Sequence, residues 1–150
     1  MIFSSKCLLK SIVGLLTGFV IGGSIVFYYQ GTMHRDAAFA MIDYEFSQLQ
    51  NESVKAFEEL HEDASIVMQN QLINYLQYRG NMGWLDDTLI YKTRGLAKAR
   101  IAVTLIISGK DDEANNYYQA AFEDLQKSGF IMDKSAYEGL IAELKARRLG

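Results

Sequence analysis

This chain of 150 residues has no proline, one cysteine and a formal net charge of −3. The lack of proline removes the commonest breaker of long helices, so the composition favours an all-α fold. The single cysteine, Cys7, excludes a disulfide within the chain. The mild acidity argues against nucleic acid as a partner, because phosphate binding needs a basic surface.

The segment 11–30 is predicted to be a transmembrane anchor. No Asp, Glu, Lys, Arg or His occurs from Ser11 to Met33, and about 20 residues in a helix match a hydrocarbon core of about 30 Å. Small residues recur every fourth position and line one side of the helix, where another helix can approach closely; these are Gly14, Gly18 and Gly22. The lipid bilayer is one expected partner, and another membrane protein or a second copy of the chain is the other. Lipid packing alone is an alternative role for the glycines.

The flanking charges predict the orientation of this anchor. Lys6 and Lys10 precede it and Arg35 follows it, so the positive-inside rule assigns residues 1–10 to the cytoplasm. Residues 31–150 then form an extracytoplasmic domain. We therefore expect a single-pass protein of a bacterial inner membrane with a periplasmic C-terminal domain.

A basic start followed by an apolar run is also the pattern of a cleaved signal peptide. The run here is longer than the usual 7 to 15 residues of a signal peptide. The small-x-small site Ala38-Phe39-Ala40 lies beyond the charged pair Arg35-Asp36. These features favour an uncleaved anchor, and a signal-arrest segment that later leaves the membrane remains an alternative.

A long amphipathic helix is predicted over about 33–78. No glycine interrupts the sequence between Gly31 and Gly80. Apolar residues recur at three-four spacing and then shift register, at Phe39, Ile42, Phe46 and Leu49, and at Phe57, Leu60, Ala64 and Val67. Two heptads before a register shift are too few to establish a coiled coil. The helix is expected either to support the shorter helices of its own chain or to pair with a second copy.

A small helical-hairpin domain is predicted after a loop at 79–84. Helices are expected over about 87–108, 112–128 and 136–148, with glycines and aspartates marking their ends. Trp84 in the loop either closes the core or anchors a partner. The basic residues that follow either form a solvated helix face or a surface that binds a partner; they are Lys92, Arg94, Lys98 and Arg100.

Residues 96–127 resemble one tetratricopeptide hairpin. The resemblance is carried by Ile101-Ala102, Gly109, Glu113-Ala114, Tyr118 and Ala121. It implies an antiparallel helical hairpin and a role in protein binding. Lys98 stands at the usual aromatic position, the terminal proline is missing and no second copy follows at a period near 34. A generic α-hairpin is the alternative interpretation.

The sequence contains few motifs that indicate catalysis or metal binding. Glu58 and His61 have the Glu-x-x-His spacing of di-iron bundles, but such sites need a second pair and further carboxylates. No nucleophile elbow or glycine-rich phosphate loop occurs. We expect no enzyme activity, no cofactor and no metal. The expected function is that of an accessory or scaffolding subunit that binds a protein partner, and a transient inhibitor or sensor of envelope, secretion or lysis machinery is the alternative.

Overall fold

The structure, a computed structural model, describes residues 5–59, 61–131 and 133–150, with side chains from Ser24 onward. Over these residues the chain forms five helices and no strand. They are α1 (Ser5–Glu59), α2 (Glu62–Asn81), α3 (Asp87–Ile107), α4 (Asp111–Lys127) and α5 (Lys134–Leu149). The predicted all-α fold is confirmed.

The predicted anchor falls mostly on residues whose side chains are not described. Among the side chains from Ser24 onward, no helix has a stretch long and apolar enough to cross a membrane. Residues 11–23 of the predicted span lie outside this set, and so do the glycines predicted to pack against another helix, Gly14, Gly18 and Gly22.

The chain divides into two compact units, Met1–Tyr44 and Glu45–Gly150. In the first unit, the described part of α1 exposes several large apolar side chains, with relative accessibilities from 52% for Ile25 to 80% for Phe27. They are Ile25, Val26, Phe27, Tyr28, Tyr29 and Met33. Contiguous exposed apolar surface of this kind is typical of a segment that lies against lipid or another protein.

The structure differs from the single helix predicted over about 33–78. α1 ends at Glu59 and α2 begins at Glu62, and His61 between them has extended backbone angles of φ −59° and ψ 159°. Across the break, the side-chain amide of Gln69 donates a hydrogen bond of 2.5 Å to the backbone carbonyl of Ser53. This bond links α1 to α2, which a continuous helix would not allow.

The buried face of α2 also differs from the expected one. Val67 and Ala64 are exposed, whereas the buried residues follow a four-three-four spacing at Ser65, Gln69, Leu72 and Leu76. Two members of this stripe are polar, so hydropathy alone assigns the wrong face to the core. Gln69 can be buried in this stripe because its side-chain amide has a backbone acceptor on α1.

α3 is at the centre of the second unit and packs against α2, α4 and α5. Small residues at its contact positions, such as Ala97, Ala99 and Ala102, are fully buried and allow neighbouring helices to approach closely. The residues of α3 from Ile101 to Leu105 are buried, while Ile107 is 40% exposed. Aromatic side chains join α4 to α5, where the ring of Tyr137 packs against those of Tyr118 and Phe122. The hydroxyl of the buried Tyr137 donates a hydrogen bond of 2.9 Å to the Tyr118 carbonyl.

The ends of α3, α4 and α5 lie within about two residues of the predicted ones. Asp86 accepts hydrogen bonds from the backbone N–H groups of Thr88 and Leu89 and so caps α3. Gly109 has φ +76° and ends the α3–α4 turn in the left-handed region. The cap of α5 is Asp133, whose carboxylate accepts a hydrogen bond of 2.8 Å from the backbone N–H of Ala136.

Replacing Thr104 with valine is expected to stabilise the protein by about 1 kcal/mol. The Thr104 hydroxyl is enclosed and has no hydrogen-bond partner among the described residues, and valine has the same shape without this unsatisfied group. Thermal unfolding of the full-length chain in detergent, followed by circular dichroism, measures the change. Thr93→Val on the same helix is the control, since the Thr93 hydroxyl is not one of the enclosed unpartnered groups. A Thr104→Val variant less stable than the parent would contradict the prediction.

Candidate protein-interaction site

Arg79, in the last turn of α2, organises a group of aromatic side chains at one end of the second unit. Its guanidinium forms an ion pair of 2.7 Å with Glu45 of α1. It also lies 5.2 Å from the ring centroid of Tyr75, 5.7 Å from that of Tyr78 and 5.0 Å from that of Trp84. Because an arginine attracts the negative face of an aromatic ring, Arg79 holds these rings in place.

The loop after α2 folds back on the helix and so brings Trp84 to Arg79. Gly83 has φ +68°, a conformation that favours glycine. The backbone N–H of Trp84 then donates a hydrogen bond of 3.2 Å to the carbonyl of Arg79. Asp86 starts α3 directly afterwards, so the loop is short and its conformation is fixed at both ends.

This end of the unit leaves large apolar side chains in contact with solvent. Tyr78 is 58% exposed, Met82 44% and Trp84 40%. We call these three residues the aromatic end. A depression of about 160 Å³ lies nearby between α2 and α3, with Gly80 and Tyr91 in its lining. An exposed tryptophan and tyrosine around a held arginine have the composition of a protein-binding hot spot.

Two of the basic residues predicted to bind a partner are engaged within the chain. The Arg94 guanidinium donates two hydrogen bonds, of 2.7 Å and 2.6 Å, to the carboxylate of Asp124 on α4. Lys98 donates a third, of 2.7 Å, to the same carboxylate. Burial raises the pKa of Asp124, but these hydrogen bonds outweigh it and hold the pKa below its ordinary value. Arg94 and Lys98 therefore join α3 to α4.

The other two basic residues lie elsewhere on α3. The Lys92 ammonium lies 4.4 Å from the centroid of the exposed ring of Phe130, which follows α4. Burial lowers the pKa of Arg100 to about 10, and the charges of Glu58 on α1 and Arg147 on α5 act on it in opposite directions. The four basic residues therefore do not form one cluster. Arg94 and Lys98 bind Asp124, Lys92 makes a cation–π contact with Phe130, and Arg100 shares neither of these contacts.

The sequence pattern singles out Trp84 but not the residues that hold it. Arg79 and Glu45 are 34 residues apart, and no local motif predicts that they meet. The sequence does place Arg79 directly before a glycine-rich loop that contains the only tryptophan. This was the one local indication that Arg79 could contact Trp84.

Among the side chains that the structure describes, no group of three or more His, Cys, Asp or Glu residues is placed to hold a metal ion. His61 is exposed at the α1–α2 break. Its neighbour in the Glu-x-x-His spacing, Glu58, lies 4.0 Å from Arg147.

Neither protein-family models nor curated proteins nor solved structures match this chain at a significant level. The residues that resemble a tetratricopeptide hairpin form α3 and α4, with Ile101, Ala102, Ala114 and Ala121 buried. Lys98, at the position where that motif has an aromatic residue, pairs with Asp124.

Proposed function

We propose that this protein is a single-pass, membrane-anchored accessory subunit that acts by binding other proteins and not by catalysis. Residues 11–30 anchor it in a bacterial inner membrane, with residues 1–10 in the cytoplasm and the helical domain in the periplasm. Gly14, Gly18 and Gly22 contact another membrane helix. The aromatic end of the second unit binds or braces a protein partner.

The proposal of an anchor is supported by the sequence between Ser11 and Met33, which lacks every charged residue type. It is also supported by the exposed apolar side chains of α1 from Ile25 to Tyr29. Lipid would cover these side chains, and the aromatic residues Phe27, Tyr28 and Tyr29 suit the boundary between hydrocarbon and headgroups.

The observation that carries the proposal is the aromatic end itself. Tyr78, Met82 and Trp84 expose large apolar area, and Arg79 and the fixed loop hold two of the rings in one arrangement. A surface that is already ordered loses little conformational entropy when a partner binds, so its apolar contacts contribute more fully to affinity. A partner with an apolar recess would bury Trp84 completely.

We expect Trp84→Ala to weaken partner binding about 30-fold, since loss of a central tryptophan typically costs about 2 kcal/mol or more. The full-length protein is purified from its own membranes in mild detergent, and the mass and stoichiometry of the complex are determined. Gly18→Leu is tested beside it and is expected to disrupt contacts within the membrane while leaving insertion intact.

The matched control is Lys134→Ala, an exposed change at the start of α5. Circular dichroism of each variant shows whether the fold is retained. A partner at fixed stoichiometry that Lys134→Ala keeps and Trp84→Ala loses supports the subunit proposal. Recovery of the parent protein as a lone monomer contradicts it and favours the transient regulator. Release of the protein from its membranes by carbonate washing would contradict the proposal of a transmembrane anchor.

A further inference from the structure

The exposed apolar side chains of α1 continue well past the charged pair Arg35-Asp36. Met41 and Tyr44 are each 63% exposed. At about 1.5 Å per residue, Tyr44 lies about 12 Å beyond Asp36 along the helix. The hydrocarbon core of a membrane does not extend past such a charged pair, because charged side chains are costly there. Protein, and not hydrocarbon, is therefore the surface that can cover Met41 and Tyr44.

One face of α1 has apolar or small residues at every position of a spacing of three and four residues. At about 100° per residue, this spacing keeps all of them within an arc of about 80°. The large side chains among them are exposed, from 57% for Val26 to 71% for Met33, and the two alanines are exposed as well. We call this set the α1 apolar face; it consists of Val26, Tyr29, Met33, Ala37, Ala40 and Tyr44.

The spacing of the α1 apolar face repeats every eleven residues, from Met33 to Tyr44. Such a repeat is close to the natural turn of an α-helix, so two of these helices can lie side by side over a long distance with little supercoiling. Toward the N-terminus the same spacing continues in the sequence through Gly22 and Gly18. Past the last residue of the first unit, Tyr44, the equivalent positions are polar; they are Gln48, Asn51 and Lys55.

The charged residues of this segment lie beside the α1 apolar face and not on it. Asp36 and Asp43 follow one edge of the face, and His34 follows the other. In a parallel pair of helices related by a two-fold axis, opposite edges meet, so Asp36 of one copy faces His34 of the other. In an antiparallel pair like edges meet, which sets the aspartates of both copies against each other. The charges therefore favour a second copy of this chain in the parallel orientation.

We propose that two copies of this chain associate in parallel through the α1 apolar face. In a two-fold interface between parallel helices each residue meets its own counterpart, which the face allows because none of its residues is charged. Ala37 and Ala40 let the two backbones approach, while Met33 and Tyr44 bury apolar area on either side. This inference rests on the proposed function for the insertion of all copies in one direction, and it identifies the helix beside the anchor as that of a second copy.

The test is cysteine cross-linking of the full-length protein in its own membranes, because Cys7 is the only cysteine of the chain. In a Cys7→Ser background, Met33→Cys and Ala40→Cys are each oxidised, and the yield of covalent dimer is measured. Both should form dimers, since a disulfide requires Cα atoms within about 7 Å of each other. Ala38→Cys is the matched control, because Ala38 is also exposed but lies outside the face, and it should give about tenfold less dimer.

The two cross-linking positions also determine the orientation of the pair. Met33 and Ala40 are separated by about 10 Å along the helix. In a parallel pair each lies beside its own counterpart, whereas in an antiparallel pair at most one of them can do so. Dimer formation at only one of the two positions overturns the proposal, and so does an equal yield from Ala38→Cys.

Ala40→Glu is expected to weaken the dimer at least about tenfold, since it sets two carboxylates against each other in the interface. Ala38→Glu adds the same charge outside the face and should change the dimer dissociation constant by less than about twofold. Sedimentation equilibrium of the full-length protein in detergent measures both constants, and circular dichroism checks that each variant keeps its helices. An Ala40→Glu variant as dimeric as the parent overturns the proposal. Release of a different protein by Ala40→Glu from an otherwise monomeric chain does so too.

Trp84→Ala separates this inference from the proposed function, because it should leave the dimer intact. If the cross-links fail while Trp84→Ala still releases a protein partner, the α1 dimer is wrong and the proposed function stands. If the cross-links form while Trp84→Ala keeps every partner, the role of the aromatic end is wrong and the dimer stands. Loss of the dimer in Trp84→Ala would move the interface to the aromatic end and would overturn the inference.

Discussion

Replacing Asp124 with asparagine is expected to lower the free energy of unfolding by about 3 kcal/mol at neutral pH. The carboxylate is 4% exposed and accepts three hydrogen bonds from Arg94 and Lys98. The amide keeps the shape but leaves both cations without a counter-charge and turns an N–H group toward one of them. Guanidinium unfolding of the full-length chain, followed by circular dichroism, measures the loss.

Glu123→Gln is the matched control, since Glu123 is the exposed neighbour of Asp124 on α4. It should change stability by less than about 0.5 kcal/mol. The double variant Arg94→Gln/Asp124→Asn should cost less than the sum of the two single changes, because the residues share one network. Additive effects would contradict the direct coupling of Arg94 with Asp124.

The same carboxylate predicts how stability depends on pH. The Asp124 pKa is lower in the folded protein than its ordinary value, so the folded state favours the ionised form. Its contribution is therefore fully present above the ordinary pKa of about 3.9 and is lost as the pH falls through the lower folded value. The difference between the parent and Asp124→Asn should shrink below about pH 4. A difference that persists unchanged in acid would mean that the charge is not its cause.

Replacing Gly95 with valine is expected to destabilise the protein by about 3 kcal/mol, since it forces two closely packed helices apart. A Cβ atom at this position would lie 2.7 Å from Cγ and 3.1 Å from the backbone nitrogen of Leu125 on α4. The Leu125 side chain is fully buried and has little room to move away. Gly95 therefore permits a close approach of α3 to α4 that a larger side chain would prevent.

Gly139→Ala provides the opposite control within α5. Nothing lies within 4 Å of a Cβ atom added there, so alanine should stabilise the helix by about 0.5 to 1 kcal/mol through lower backbone entropy of the unfolded chain. Thermal unfolding of both variants under one set of conditions gives the comparison. A Gly95→Val variant within about 1 kcal/mol of the parent would show that the two helices can separate at little cost.

Local sequence signals predicted the elements whose ends are set by nearby residues. Asp86 caps α3 through N–H groups two and three residues away, and Gly109 provides a left-handed turn residue directly after α3. Both depend on contacts within a few residues, so they can be recognised without knowledge of the fold.

The break between α1 and α2 could not be predicted in this way. The register shift after Leu49 was visible, but the residues at the break include neither proline nor glycine. The helices separate there because contacts between distant residues favour it, including the Gln69 bond to Ser53 and the Arg148 bonds to the last turn of α1. Arg148 lies 92 residues beyond its acceptor Ala56, a distance at which periodicity carries no information.

Composition and local sequence pattern were enough to predict the all-α class, the uncharged segment from Ser11 to Met33 and the loop that contains Trp84. Each of these depends on the residue types present or on neighbours along the chain. The packing of helices that are distant in sequence determines which basic residues are neutralised within the chain. Arg94 and Lys98 are neutralised by Asp124 because α4 packs on α3, whereas no described acceptor reaches Arg100. The same residue type therefore has different roles on one helix, because the free energy of a charge depends on its burial and on the groups that folding brings beside it.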